Sequence, residues 1–329
     1  MPEHAFVSFG AGPFSGSLVR IGREALDSGM FGGVHLRGPE DLGTDFWRDG
    51  MTHAKALRTR RGYWFMRWKP RIILDVFDTL EQGDTVMWVD AGCTINPGGA
   101  DRMDEYRRMA DRHPFGILAF QLPDSRSDLG YSADNVIAAI GPDPGDLETG
   151  QIITTAILFR VCRPARDLLV LWKSALEDHD LAGEVGCNRS GFVAHRHDQS
   201  VFSLLCKSRG VSAIPDETWA EDFSDPAMLR CPVWATRLTS SHLLLLRRTR
   251  SYPFAPSRAS RPASASGTQL CSTVTSAGAY RAKSNTESIS RSEPSVSTER
   301  KSRAPIPLRS RIVPSRWPST LTVLPDRLW

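Results

Sequence analysis

The sequence lacks the features that mark membrane, secreted and zinc-binding proteins. Its aliphatic runs, such as Leu243–Leu246, are far too short to cross a bilayer. The first ten residues contain neither the basic segment nor the apolar segment of a signal peptide. The six cysteines are scattered without a CxxC pair, so neither a zinc site nor a dense disulfide framework is expected. We therefore expect a cytoplasmic protein with reduced thiols and no transmembrane segment.

Acidic residues are scarce near the C-terminus of the 329-residue chain. Residues 251–329 contain 12 Lys and Arg against 4 Asp and Glu, whereas the whole chain has a net charge of +4. The basic character belongs to this tail, so the body gives no reason to expect a specific nucleic-acid partner. Because the tail is rich in Ser and Pro and lacks hydrophobic periodicity, it cannot offset its chain entropy by burial. We expect a globular domain over residues 1–245 and a disordered, basic Ser/Pro/Arg-rich tail over residues 246–329.

Short apolar runs alternate with amphipathic segments along the body of the chain. Runs typical of strands cover residues 4–9, 33–37, 84–90, 115–120, 151–160 and 211–214. Helical spacing covers residues 15–28, 45–59, 70–80, 101–112, 164–178 and 198–208. Residues 121–150 are expected to form a long loop with one helical turn near 135–139. This alternation predicts an α/β fold, with a mainly parallel, Rossmann-like central sheet flanked by helices.

The most informative segment is Asp84–Asn96, in which the strand-like run VMWV ends at Asp90. Open α/β sheets bind ligands beside the carboxyl ends of their strands, so a carboxylate at this position is placed to meet a ligand. Gly92 allows a sharp turn and a close approach of a ligand to the backbone. The alternative is that Asp90 only caps a turn.

Two further segments carry candidate site residues. Lys69 stands where a helix begins, and the free N–H groups of a helix start already favour an anion. The alternative is that Lys69 and Arg67 are solvated ends that flank tryptophans of the core. In the run HRHDQS, Asp198 precedes an apolar helix and is placed either to cap it or to face an acceptor.

Five segments together, in their order along the chain, resemble bacterial glycosyltransferases of the GT-A type. They read FVSFGAG, GYWFMRWKPRIIL, MWVDAGCTIN, TGQIITTAILFR and HRHDQSVFSLL. More narrowly, they are similar to nucleotide-sugar-dependent transferases encoded among surface-polysaccharide genes. The resemblance covers residues 4–237 and none of the tail. It implies a single nucleotide-binding α/β domain with the donor at the carboxyl-terminal edge of the sheet.

The resemblance also implies a metal site at Asp90. This residue takes the position of an acidic motif, usually Asp-x-Asp, that holds Mg²⁺ or Mn²⁺ against the donor diphosphate. A divalent cation neutralises the charge that develops on the leaving diphosphate, and such hard cations take oxygen ligands. Here the second acid is missing, because the motif reads Asp90-Ala91-Gly92. The metal requirement therefore stays open.

Roles for other residues follow from the same resemblance. In similar enzymes an Asp-Gln pair lies near the sugar, so Asp198 and Gln199 are the candidate catalytic residues, with Asp198 as a possible general base. The candidates for donor binding are Ser8, Phe9, Lys69, Asp90 and Gly92. The candidates for contact with the rest of the substrate are Trp68, Gln121, Gln151, His195 and His197.

The leading interpretation is an enzyme, a hexosyltransferase-like glycosyltransferase of surface-polysaccharide synthesis. It would move a sugar from a nucleotide-diphosphate donor to a hydroxyl of a carbohydrate or lipid-linked acceptor. The missing second acid leaves an alternative, a catalytically inactive nucleotide-sugar-binding or scaffold protein. A nucleotidyltransferase ranks last, because the first loop, GAGPFSG, lacks the basic residue of that signature.

Overall fold

A five-stranded sheet forms the centre of the computed structural model, which describes residues 2–57, 62–183 and 186–240. The strands are β1 His4–Phe9, β2 Gly33–Arg37, β3 Thr85–Val89, β4 Thr94–Ile95, β5 Ile117–Leu118, β6 Phe120–Gln121, β7 Ala156–Arg160, β8 Ile214–Pro215 and β9 Val233–Trp234. The central sheet has the order β2-β1-β3-β7-β5. Strand β1 is parallel to both β2 and β3, whereas β7 is antiparallel to both β3 and β5. The predicted mainly parallel sheet is therefore confirmed.

The helices that surround the sheet vary from one turn to four turns. They are α1 Ser15–Ser28, α2 Thr44–Leu57, α3 Gly62–Phe65, α4 Lys69–Phe77, α5 Ala100–Arg112, α6 Asp128–Tyr131, α7 Asp134–Ile140, α8 Pro144–Leu147, α9 Arg163–Glu177, α10 His179–Ala182, α11 Asp198–Ser208 and α12 Pro226–Leu229. Within these described ranges, no helix is long and apolar enough to cross a membrane. The predicted tail over residues 246–329 lies outside the described residues and stays a prediction.

Both faces of the central sheet are covered, which explains why its middle strand is apolar throughout. Successive strand residues point to opposite faces. In β3, Val86 and Trp88 join a core that includes side chains of α4, α9 and α11. Met87 and Val89 join a second core with side chains of α1 and α5. A strand buried on both faces has no polar side, and this is the pattern that the sequence shows.

Two predicted strands are shorter than their apolar runs. The run over residues 115–120 splits, because Phe120–Gln121 leaves the central sheet and pairs with Ile214–Pro215. The run over residues 151–160 contributes only Ala156–Arg160 to the sheet. Residues 152–155 instead use their backbone groups elsewhere: the Ile152 N–H donates to the Ser203 hydroxyl, and the Thr155 carbonyl accepts from Asp90. These bonds replace a strand ladder with contacts around the candidate site.

Within the predicted loop over residues 121–150, the expected helical turn near 135–139 is confirmed by α7, whereas α6 and α8 were not predicted. Each of these helices has at most seven residues, too few for a hydrophobic repeat to stand out in the sequence. Local caps stabilise them instead. The Asp143 carboxylate accepts from the Gly145 N–H at the start of α8, and Gly141 ends α7 in the left-handed conformation.

Candidate functional site

The candidate site lies at the carboxyl edge of the parallel strands. Asp90 directly follows β3, and its N–H donates to the Thr155 carbonyl at 2.9 Å. Because β7 is antiparallel and starts opposite Val89, the residues just before it reach the same edge. Two helices begin at this place: α4 with Lys69 and α11 with Asp198. Three predicted site residues that are distant in the sequence are thereby brought together.

A buried ammonium joins the two carboxylates. Lys69 Nζ lies 3.1 Å from Asp90 Oδ1 and 2.9 Å from Asp198 Oδ2. It also donates to the Thr154 carbonyl oxygen at 3.1 Å and lies 3.3 Å from the Thr154 hydroxyl. The Thr154 hydroxyl in turn donates to Asp198 Oδ2 at 2.9 Å. An ammonium has three protons, and these four oxygens satisfy all of them. We call Lys69, Asp90 and Asp198 the charged triad.

Only one member of the charged triad is open to a ligand. The side chains of Lys69 and Asp198 are 4% and 3% exposed, whereas that of Asp90 is 40% exposed. Asp90 therefore forms the accessible end of an otherwise buried ionic cluster. This is the placement that the sequence predicts for a residue that meets a ligand.

The charges and burial around the triad raise the pKa of both Lys69 and Asp90, and Lys69 therefore stays protonated. Burial lowers the pKa of Lys69, but the carboxylates of Asp198 and Asp90 raise it by more, so the net shift is upward. Enclosure by protein raises the pKa of Asp90, the charge of Asp198 adds to this, and Lys69 opposes it without reversing it. Two carboxylates against one ammonium leave a formal net charge of −1. A cation beside Asp90 would relieve this excess of negative charge.

Two tryptophan rings lie close to the Lys69 ammonium. Lys69 Nζ lies 5.5 Å from the centre of the Trp88 ring and 6.0 Å from that of Trp68. The Trp88 indole N–H donates to the same Thr154 carbonyl that Lys69 contacts. Trp68, a predicted substrate contact, is buried and stacks on Phe9 with ring centres 4.0 Å apart. Both rings therefore exclude water from the charged triad.

The chain before Lys69 is conformationally strained. Trp64, Phe65 and Met66 have φ angles of 62°, 61° and 57°, in the left-handed region. This conformation costs about 1–2 kcal/mol for each non-glycine residue. The turn closes with a hydrogen bond of 2.9 Å from the Lys69 N–H to the Met66 carbonyl. Surrounding contacts must hold this segment, and strain of this kind clusters at functional sites.

His195 and His197 lie just before α11, and their rings bond to backbone groups of neighbouring segments. The His195 ring accepts from the Ala133 N–H and bonds to the Leu181 carbonyl, while His197 bonds to the Ala182 carbonyl and stacks on Phe65 at 3.8 Å. Burial lowers the pKa of His195 to about 4, with a smaller contribution from His197, so His195 is neutral at pH 7. Both predicted substrate contacts are buried and bonded to protein.

The other predicted residues occupy several environments. Ser8 is buried, and its hydroxyl donates to the Val89 carbonyl across the sheet. Gln121 is half-buried and donates to the Gly150 carbonyl. Gln151 is fully buried and accepts from the side chain of Gln199, which is half-buried. These side chains therefore contact protein, and their proposed roles in ligand binding stay predictions.

The close packing of residues 236–238 against position 92 favours glycine there. A Cβ at this position would lie 3.2 Å from the Phe14 ring and 3.3 Å from the Arg237 Cα. The Gly92 carbonyl accepts from the Leu238 N–H at 2.8 Å and from the Thr236 hydroxyl at 3.0 Å. The chain at residues 236–238 therefore lies directly on the turn that follows Asp90.

Sequence reasoning missed a second buried ion pair beneath α11. Lys207 Nζ lies 2.7 Å from Asp128 Oδ2, and the other Asp128 oxygen accepts from Ser132 and Gln151. The two charged residues are 79 positions apart, and neither belongs to a motif, so no local signal joins them. Thr154 was missed as well, although a Thr-Thr pair inside an otherwise apolar run was a usable signal.

The oxygen ligands available at Asp90 fit a divalent cation that is held by few protein groups. Asp90 supplies one accessible carboxylate, whereas Asp198 is buried and already bonded to Lys69 and Thr154. Mg²⁺ often binds through one or two carboxylates with phosphate and water oxygens. Among the described residues, the only close group of three metal-ligating side chains is elsewhere, at Asp178, His179 and Asp180. Asp90 is thus the residue that would hold a metal in the candidate site.

No family model matches the chain, and no curated protein matches it. Several solved structures of glycosyltransferases are similar to this chain. A glycosyltransferase involved in the glycosylation of the major capsid of PBCV-1 is 12% identical, with a TM-score of 0.39 over 71% of this chain and 93% of that chain. Mouse xyloside xylosyltransferase 1 is 11% identical, with a TM-score of 0.34 over 71% of this chain and 97% of that one. The WbbM bifunctional glycosyltransferase is 10% identical, with a TM-score of 0.38 over 76% of this chain and 52% of that one.

Proposed function

We propose that this protein is a glycosyltransferase that moves a sugar from a nucleotide-diphosphate donor to an acceptor hydroxyl. The observation that carries the proposal is the charged triad at the carboxyl edge of the sheet, with Asp90 as its accessible member. Ligands of open α/β sheets bind at this edge. Hexosyl transfer, a carbohydrate or lipid-linked acceptor, surface-polysaccharide synthesis and a cytoplasmic location are parts of the proposal that rest on the sequence resemblance.

On the donor side, Asp90 has the central role. Its carboxylate is 40% exposed while Lys69 holds one of its oxygens at 3.1 Å, which fixes the orientation of the group. A divalent cation at Asp90, when bound, supplies the positive charge that neutralises the departing nucleoside diphosphate. The negative formal charge of the triad favours binding of such a cation.

The burial of Asp198 favours a positioning role over that of a general base. A base must come within hydrogen-bond distance of the acceptor hydroxyl. Asp198 Oδ2 is instead bonded to Lys69 and to the Thr154 hydroxyl, and its side chain is almost fully enclosed. Asp198 therefore holds Lys69, and Lys69 holds Asp90. Gln199, beside it, is anchored to Gln151 and has the better access to substrate.

Release of nucleoside diphosphate from a panel of nucleotide sugars tests the proposal. The full-length protein is expected to release nucleoside diphosphate from at least one donor, and Asp90→Asn is expected to lower the rate about 100-fold or more, since it removes the charge that meets the donor. Asp27→Asn, which neutralises an exposed carboxylate on α1, is the matched control and should not change the rate.

Three results separate the alternatives. Loss of turnover with EDTA and recovery with Mg²⁺ or Mn²⁺ would support the metal at Asp90. Donor binding by calorimetry without turnover would favour the inactive nucleotide-sugar-binding protein. Neither binding nor turnover with any donor would contradict the proposed function.

A further inference from the structure

Two arginines share one tyrosine ring beside the candidate site. The guanidinium carbon of Arg196 lies 4.0 Å from the centre of the Tyr131 ring, and that of Arg126 lies 5.6 Å from it. Arg126 also donates a hydrogen bond to the Tyr131 hydroxyl. We call these three residues the arginine–tyrosine platform. Two like charges beside one ring repel each other, and an anion bound between them would offset this repulsion.

The platform has unbalanced positive charge. Within the described parts of the chain, no carboxylate forms an ion pair with Arg126, Arg196 or Arg237. Burial lowers the pKa of Arg196, and Arg126 and Arg237 lower it further against the opposing effect of Tyr131. Three guanidinium groups therefore lie within electrostatic reach of one another. Arg196 is half-buried, whereas Arg126 and Arg237 are exposed. Among the described residues, the buried cations Lys69 and Lys207 by contrast have acidic partners.

Hydrogen bonds fix the platform to the start of α11. The Arg196 N–H donates to the Ser200 hydroxyl at 2.9 Å and to the Tyr131 carbonyl at 3.3 Å, and that carbonyl also accepts from Ser200. Arg196 is only two residues from Asp198. The intervening His197 has φ 50° and ψ −115°, an unusual conformation that turns the chain sharply between the two side chains. The backbone of Arg196 is thus held beside the start of α11, the helix that carries Asp198 of the charged triad.

A cavity of about 330 Å³ is lined in part by Tyr131. Small and polar residues line most of it, including Ser125, Ser127, Gly130 and Ser190. Serine hydroxyls and exposed backbone groups suit the hydroxyls of a sugar. The cavity and the platform together offer space for a carbohydrate with a cationic surface beside it.

We propose that the arginine–tyrosine platform binds a phosphate group on the acceptor, so that the acceptor is a phosphorylated carbohydrate. This inference rests on the proposed function, since it names the acceptor class of the same site. Arginine is suited to phosphate because its planar donors bind two oxygens at once. The acceptor is favoured over the donor diphosphate because Tyr131 of the platform also lines the serine-rich cavity, whose lining does not include Asp90.

Binding of glucose 6-phosphate to the full-length protein, measured by calorimetry at low salt, tests the inference. The wild-type protein is expected to bind glucose 6-phosphate at least tenfold more tightly than glucose. The double variant Arg126→Gln/Arg196→Gln is expected to lose about tenfold or more of this affinity, because a hydrogen bond to a charged group is removed at each position. Arg163→Gln, at an exposed arginine of α9, is the matched control and should bind as the wild type does.

The same titration with uridine, guanosine, adenosine and cytidine diphosphates distinguishes the two sources of phosphate. Unchanged affinity for these nucleotides in the double variant supports an acceptor site, whereas a loss confined to the nucleotides would assign the platform to the donor and overturn the inference. Equal binding of glucose and glucose 6-phosphate by the wild type would also overturn it. Partial recovery of affinity in Arg126→Lys/Arg196→Lys, which restores the charges but not the planar donors, with melting temperatures unchanged throughout, would show that charge and not folding is responsible for the loss. Arginine-dependent binding of glucose 6-phosphate without turnover of any donor would leave the phosphate site standing while the proposed function fails.

Discussion

Lys69 is the residue on which the geometry of the candidate site depends. Its ammonium is surrounded by the oxygens of Asp90, Asp198 and Thr154, all within 3.3 Å. Removing one partner of a buried ion pair leaves a charge without compensation, which is more costly than the pair itself is stabilising. The position of Lys69 at a helix start was predictable from the sequence. Its contacts with Asp90 and Asp198, which lie 21 and 129 positions further along the chain, arise only from the tertiary fold.

The first prediction concerns this residue. Lys69→Met leaves Asp198 buried without its cation, so the free energy of unfolding in urea should fall by about 3–5 kcal/mol. Lys173→Met is the matched control, because Lys173 pairs with Glu177 on the surface of α9, and its removal should change stability by less than about 1 kcal/mol. Equal losses in the two variants would contradict the importance of the charged triad.

The second prediction concerns the pH dependence of stability and rests on His195. Its pKa is lowered from 6.5 to about 4 in the folded protein, chiefly by burial, so the unfolded chain takes up a proton first as the pH falls. This contribution to stability is therefore present above pH 6.5 and is lost progressively between pH 6.5 and pH 4, by up to about 3 kcal/mol.

Urea denaturation at several pH values measures this effect. The difference in stability between wild type and His195→Gln should shrink as the pH falls through this window. His179→Gln, at a more exposed histidine, serves as the control. A difference that does not vary with pH between 4 and 7 would contradict a neutral, buried His195.

At the scale of elements, the long helices and central strands were predictable and the short elements were not. Helices α1, α9 and α11 each extend over three turns or more, so their apolar repeats are visible. The β4–β9 ribbon has two residues in each strand, and its pairing depends on chain that is 140 residues away. No local pattern in the sequence specifies such a contact.

This ribbon supplies the third prediction, because it holds residues 236–238 on the turn beside Asp90. A Cβ at Gly99 would lie 2.4 Å from the Pro232 backbone, just before β9. Gly99→Ala should therefore lower the free energy of unfolding by about 1–3 kcal/mol, as overpacked cores do. At Gly145 an added Cβ meets only Asp143 at 3.5 Å, so Gly145→Ala should be near neutral. Equal effects in a chemical denaturation experiment would contradict the close approach.

At the scale of the whole molecule, the sheet brings distant residues to one edge. Parallel strands β1, β2 and β3 end together, the helices α4 and α11 begin there, and the antiparallel strand β7 starts at the same edge. The α/β class and the location of Asp90 followed from the sequence, because burial on two faces leaves a visible apolar run. The pairing of Lys69 with Asp198, the role of Thr154 and the arginine–tyrosine platform did not follow, since each depends on tertiary contact between segments without shared motifs.

The most direct test of the central claim is a crystal structure of the full-length protein with a nucleoside diphosphate and Mg²⁺. We expect the diphosphate at the carboxyl edge of the sheet, joined to the Asp90 carboxylate directly or through the metal, with the contacts of Lys69 to Asp90 and Asp198 retained. A nucleotide bound at the opposite edge of the sheet, or bound without any contact to Asp90 or its metal, would contradict the account.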